Sequence, residues 1–142
     1  MLGVARARVR RSGLVNRVAL CQGDAAKLPF VAGCFDAVFM CFTLELFEAL
    51  EIPEVLIECR RVLRRAGRAC IVALSKRTGW MVSLYEMAHA KLPDIVDCRP
   101  IHVQQVIRSA GFQIAGVREA SMWGLPVESI LAIKGARVNE KG

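Results

Sequence analysis

Two short, almost unbroken apolar runs, FDAVFMCF at residues 35–42 and ACIVALS at residues 69–75, bracket a segment whose apolar residues recur every three or four positions. Runs of this kind suit strands covered on both faces, which is the usual condition of a parallel sheet. The segment between them supplies the crossover that parallel neighbours require. In it Ile52, Val55, Leu56, Cys59, Val62, Leu63 and Ala66 share one helical face, Pro53 suits a first turn, and Gly67 follows as a stop. Glu51 and Glu54 lie at its start and Arg60, Arg61, Arg64 and Arg65 at its end, so the charges match the helix dipole and read as a solvated face.

The same reading extends along the chain. Leu2, Ala5 and Val9 share a face ahead of Ser12-Gly13, which predicts an exposed basic helix with a C-terminal stop. RVALCQ at residues 17–22 is a further strand candidate, ending at Gly23-Asp24. Beyond the third strand come a helix at about residues 81–91, a turn at Leu92-Pro93, and a helix carrying Val103, Val106, Ile107 and Ala110 with Gly111 as its stop. Strand-like segments at 112–119 and 127–134 close the sequence. Strands alternating with helices predict an α/β layered fold with a parallel sheet, closed by a C-terminal antiparallel pair.

Composition narrows the function classes. At 142 residues the chain has the size of one domain, and no apolar run reaches the length of a membrane-spanning helix. The net charge of +7 is spread over two predicted helices without interleaved aromatics, which argues against a nucleic-acid stripe. Six cysteines at irregular separations, with no C-x-x-C pair, imply neither a zinc site nor a disulfide framework and read as small buried residues in a reducing compartment. A cytoplasmic location is expected, although the acid-free, Arg-rich start overlaps in composition with a mitochondrial presequence.

Gly23-Asp24-Ala25, Leu28-Pro29-Phe30 and Phe35-Asp36-Ala37-Val38, in that order, resemble the central signature of class I S-adenosylmethionine-dependent methyltransferases of the ubiquinone/menaquinone-biosynthesis type. Arg61-Val62-Leu63-Arg64-Arg65-Ala66-Gly67 is similar to that family's R-V-L-(K/R)-P-G-G, with Ala66 standing where Pro is usual and Arg68 where the second Gly is usual. Ala110-Gly111-Phe112 resembles its A-G-F. The resemblance implies a Rossmann-like sheet of strand order three, two, one, four, five, seven, six, with the cofactor across the carboxyl ends of strands one to four. Residues 17–22 would then be strand three and residues 35–42 strand four.

The sequence has no G-x-G, and nothing ahead of residue 17 reads as strand one or two. The expectation is therefore an incomplete fold, strands three to seven, in a chain that begins inside the domain. It would be one partial domain, with the cofactor side in residues 1–50 and the C-terminal sheet half and acceptor-side elements in residues 51–142. Strands three and four would lie about 14 Å apart if both kept their family places, leaving apolar edges open to self-association.

For the site, the resemblance implies that Asp24 accepts a hydrogen bond from the adenine amino group and that Ala25 offers its backbone N–H to the ring. Read from the residues alone, Asp24 equally suits a turn in which its carboxylate bonds the backbone ahead of it. Met40, Cys41, Phe42 and Thr43 fall at the end of strand four, where the family places the adenosyl and methionine portions. Core packing is the other reading of Met40 and Phe42. Asp36 reads as a structural tie to the preceding turn. Methyl transfer from a sulfonium needs alignment more than side-chain chemistry, and a general base is required only for a protonated acceptor. His89, His102, Tyr85 and Glu45 are candidates for it, and Trp80, Met81, Tyr85 and Trp123 for an acceptor pocket. The expected function is methylation of a small-molecule acceptor with S-adenosylmethionine and no metal, inactive in these residues alone. The alternative is a non-catalytic methyltransferase-like module that binds or interacts.

Overall fold

The computed structural model describes residues 2–74, 102–122 and 125–135. The helix expected at about residues 81–91, the turn at Leu92-Pro93, and Trp80, Met81, Tyr85, His89, Cys98 and Trp123 lie outside them. In chain order the described elements are helix α1 (Leu2–Arg11), strand β1 (Phe35–Cys41), a 3₁₀ turn (Leu44–Leu46), helix α2 (Ile52–Val62), strand β2 (Leu63–Leu74), helix α3 (Val103–Ser109), and strands β3 (Phe112–Met122) and β4 (Leu125–Lys134). The strands form one mixed sheet in the order β1-β2-β4-β3. β1 and β2 are parallel, and β4 runs antiparallel to both β2 and β3. The antiparallel pair is the one expected from the C-terminal segments.

Packing follows the helical period read from the sequence. Ile52, Val55, Leu56, Cys59 and Val62 are the buried residues of α2, and Val103 and Ile107 those of α3. All of these except Val62 meet Met40, Ala69, Ile71, Ala73, Ile130 and Ala132 from one face of the sheet in a single core. Burying each large aliphatic side chain there contributes about 1.5–3 kcal/mol relative to exposure.

Three expectations change. First, α2 stops at Val62 instead of running to Ala66. Leu63 is extended and fully buried, and it pairs with Phe35 at the start of the ladder. Residues 64–67 then bulge before regular pairing resumes at Ala37↔Arg68. Ala66 has φ +56°, a value the proline ring forbids. Ala66 is therefore not in the Pro place of the R-V-L-(K/R)-P-G-G pattern; with R-V-L-(K/R) on residues 61–64, that place falls to Arg65. Gly67 is needed because a Cβ there would lie 2.9 Å from the Arg64 carbonyl oxygen and 3.1 Å from Leu63.

Second, residues 17–22 form no strand. They run as turn and coil, and among the described residues β1 pairs only with β2. The sheet is therefore four-stranded where five strands were expected. A lone strand leaves its N–H and C=O groups without a ladder, and the strand order implied by the resemblance does not make this segment a neighbour of β1. Third, β1 is covered on one face only. Met40 is buried, whereas Phe39 is 67 % exposed and forms a row with Cys70 and the part-exposed Leu131 across the far face. α1 matches its expectation, with Leu2, Ala5 and Val9 half-buried, every other residue exposed, and Gly13 at φ +66° closing it.

Candidate functional site

The carboxyl ends of β1 and β2 lie side by side, and this is where an open α/β sheet carries its ligand. Phe42 N–H extends the ladder by donating to the Val72 carbonyl oxygen at 2.9 Å. The chain then turns, because Phe42 itself has φ +49°. A left-handed conformation at a bulky residue costs about 1–2 kcal/mol, and residues held in this way cluster at ligand sites and switch regions. Leu44 and Glu45, which follow it, are buried. Glu45 is 3 % exposed. Its Oε1 accepts the Leu74 N–H at 2.8 Å, tying the turn after β1 to the end of β2. Its Oε2 has no hydrogen-bond partner among the described residues.

A second element stands before β1. Asp24 and Lys27 form an isolated bridge, Asp24 Oδ1 accepts the Ala26 N–H at 2.9 Å, and Ala25 and Ala26 pack on the core that contains Met40 and Leu44. Gly23 is close to the Pro29 ring, since a Cβ on it would lie 3.0 Å from Pro29 Cδ. Phe30 meets Phe35 edge to face, with ring centroids 4.9 Å apart. From α2, Glu58 accepts the Leu28 N–H at 2.9 Å, and Arg61 donates to the carbonyl oxygens of Leu28 and Phe30. The hydrogen bond from Arg61 lowers the Glu58 pKa, partial desolvation opposes it, and the Leu28 N–H adds to the lowering. With its folded-state pKa below the unfolded value, the tie is complete at neutral pH and is lost only as pH falls through the folded-state value.

Residues 1–67 match the family model described as a methyltransferase domain. The chain is 34 % identical over 76 residues to the ubiquinone/menaquinone biosynthesis C-methyltransferase UbiE of Sinorhizobium fredii, a match covering 54 % of this chain and 29 % of that protein. To the UbiE of Cupriavidus taiwanensis it is 40 % identical over 76 residues, covering 54 % and 30 %. Among solved structures, the magnesium protoporphyrin IX methyltransferase ChlM of Synechocystis with bound SAH superposes with a TM-score of 0.72 at 16 % identity, covering 95 % of this chain and 60 % of that one. The YcgJ protein of Bacillus subtilis superposes with a TM-score of 0.74 at 18 % identity, covering 96 % and 79 %. Residues 1–67 are thus similar to a methyltransferase domain, and the chain shares its fold with a solved methyltransferase. The chain spans about three-tenths of the length of the curated relatives it matches. The order β1-β2-β4-β3 agrees with the order four, five, seven, six that the sequence resemblance implies for this part of a sheet.

The sequence candidates fall out unevenly. Asp24 is exposed, and its carboxylate makes the turn bond that was the other reading of Gly23-Asp24. Only Oδ1 is engaged in that bond. Ala25 is half-buried beside it, Cys41 is exposed, and Phe42 and Thr43 are half-buried at the strand end. Thr43 Oγ1 donates to the Cys41 carbonyl oxygen at 3.1 Å. His102 is exposed and precedes α3 as its N-cap without a side-chain bond. Asp36 pairs with Arg64 of the bulge at 2.7 Å, not with the preceding turn, and both side chains are mostly in water.

The cysteines are not uniformly buried. Cys59 is, and burial, with the charge of Glu58, pushes its thiol up to about 11. Cys21, Cys34 and Cys41 are exposed: no strand forms around Cys21, Cys34 lies in the loop before β1, and Cys41 ends β1. Sequence reasoning missed Glu58 and Arg61. Arg61 had been assigned to a solvated face; instead it grips the loop, while Arg60 covers Gly111. The only signal available was an acid and a base one turn apart on the polar side of a helix, which is common on surfaces.

Proposed function

We propose that this chain carries the adenine-side turn and the C-terminal sheet half of an S-adenosylmethionine-dependent methyltransferase that acts on a small-molecule acceptor. The observation that carries this reading is the pinned Asp24-Ala25 turn, packed on the same core as the end of a parallel strand whose next residue, Phe42, is held left-handed. The residues present fit the adenine end of the cofactor. Asp24 is exposed and keeps its second carboxylate oxygen out of the turn bond, which suits an exocyclic amino donor. Ala25 would bring its backbone toward the ring, and Cys41 and Phe42 would border the adenosyl group from the strand end. When bound, the cofactor supplies a methyl group already activated on sulfur.

The chain's own part is then orientation. Glu45 joins the two strand ends by its bond to Leu74, which fixes the spacing of the floor on which an acceptor would rest. The curated relatives are named for C-methylation in ubiquinone and menaquinone biosynthesis, which makes a quinone-type ring the first acceptor to assay. Acceptor choice depends on loops that vary freely on one fold.

Asp24 can be tested in a chain joined in frame to the Gly-rich strand-turn segment of a class I relative. There Asp24→Ala is expected to weaken S-adenosylmethionine binding by roughly 1–3 kcal/mol, the cost of leaving a donor unpaired. Asp24→Asn separates the two roles, because its amide oxygen can still accept the Ala26 N–H while the other position becomes a donor. Calorimetry showing either variant within twofold of the parent would remove Asp24 from the site.

Self-association belongs to the same reading. Beyond β2, β1 has no ladder partner among the described residues, and its sequence lacks the Lys or Pro that blunts an edge strand. Light scattering after size exclusion should find dimers or larger species, reduced by Phe39→Lys. A monomer with a sharp two-state melt would count against it.

A further inference from the structure

Residues 25–30 lie in no strand ladder or helix that could satisfy their backbone. The carbonyl oxygens of Leu28 and Phe30 and the N–H of Leu28 are met from one direction, by two side chains on α2. Arg61 Nη2 donates to Leu28 O at 3.1 Å and Nη1 to Phe30 O at 2.8 Å. Glu58 Oε2 accepts the Leu28 N–H at 2.9 Å. Glu58 also holds the guanidinium, with Oε1 to Nε at 2.6 Å and Oε2 to Nη2 at 2.9 Å. The Arg61 carbonyl oxygen accepts the Gly33 N–H at 3.0 Å, so the stretch leading into β1 is fixed to the same residue at its far end.

We propose that Glu58 and Arg61 are positioning residues for the Asp24-Ala25 turn: they set its shape from α2 and thereby its affinity for the adenosine group of the cofactor. The geometric half stands by itself, and the link to affinity rests on the function proposed above. An ordinary exposed ion pair contributes little, but this pair also takes up the Leu28 N–H and the Phe30 carbonyl oxygen, which would otherwise need water or a different fold of the loop, and adds a second donor to the Leu28 carbonyl oxygen, which already accepts the Phe30 N–H at 2.8 Å. The arrangement depends on a planar fork. Arg61 grips two carbonyls while its Nε faces the carboxylate, which an ammonium on a flexible stem cannot reproduce. The same helix buries Leu56 and Cys59 in the core, so the loop is referenced to the packed core.

Amide exchange by NMR on the 142-residue chain tests the geometric half directly. In Arg61→Met and in Arg61→Lys, the Leu28 and Ala26 amides should exchange about tenfold faster or more, while Ile71 and Ile130 in the sheet keep the parent's protection. Unchanged exchange at Leu28 in Arg61→Met would overturn the proposal, as would full protection in Arg61→Lys, which would make charge alone sufficient. Loss of protection in the sheet as well would also overturn it, because the pair would then support the whole fold. For affinity, the amide shifts of Ala25 and Ala26 are followed as S-adenosylmethionine is added to millimolar levels to the chain joined in frame to the Gly-rich strand-turn segment of a class I relative. The parent should respond and Arg61→Lys should not, and an equal response would break the link. A parent with no response at all refutes the proposed function and leaves the exchange data to decide the clamp.

Discussion

Titrated with S-adenosylmethionine, the 142 residues on their own should bind on the order of a hundredfold to ten-thousandfold more weakly than the same residues joined to a Gly-rich strand-turn segment. A Gly-rich turn lets backbone N–H groups approach a ligand closely. No G-x-G occurs anywhere in the sequence, and among the described residues no strand lies on the outer edge of β1 to carry such a turn or an acid for the ribose hydroxyls. What is left is one exposed carboxylate, a half-buried alanine and the end of β1. Each missing hydrogen bond is worth about 1 kcal/mol net, and more where a charge takes part. Turnover should fall further than affinity, because a misplacement of about 1 Å between methyl and acceptor can cost a hundredfold in rate. Micromolar binding or measurable methyl transfer by the 142 residues alone would show that the anchoring groups are already present in them.

The second large effect is on stability. Leu56→Ala is expected to cost about 2–5 kcal/mol, a large share of the roughly 5–15 kcal/mol available to a folded domain. Leu56 is 0 % exposed, in one cluster with Ile71 and Ile130 of the sheet and Ile107 of α3. Its neighbour Ile57 is 55 % exposed on the other side of the same helix. Ile57→Ala should change stability by no more than about 0.5 kcal/mol, apart from a small gain in helix propensity. Denaturant midpoints at unchanged slope provide the comparison. Equal effects for the two positions would mean that α2 does not pack in the register described.

The sequence determined the elements whose signals are local. The spacing of Ile52, Val55, Leu56 and Cys59 placed α2 and its buried face, because a helix of fixed period leaves those residues no other common side. Gly13 and Gly111 marked helix ends because only glycine takes a positive φ at little cost, and both do so. The motif order, from Gly23-Asp24-Ala25 to Ala110-Gly111-Phe112, carried the resemblance to methyltransferases. Tertiary structure decided the rest. Whether residues 17–22 become a strand depends on a neighbour to pair with, which no local pattern contains. Leu63 had the spacing to extend α2, but pairing with Phe35 in the sheet drew it into β2 and pushed Ala66 into a left-handed turn. Arg61 carried the same charge as Arg60 and Arg64 in the sequence. Only the return of the chain past α2 brought the carbonyls of Leu28 and Phe30 within reach of its fork, because hydrogen bonds between residues some thirty positions apart are set by the fold and not by any spacing along the chain.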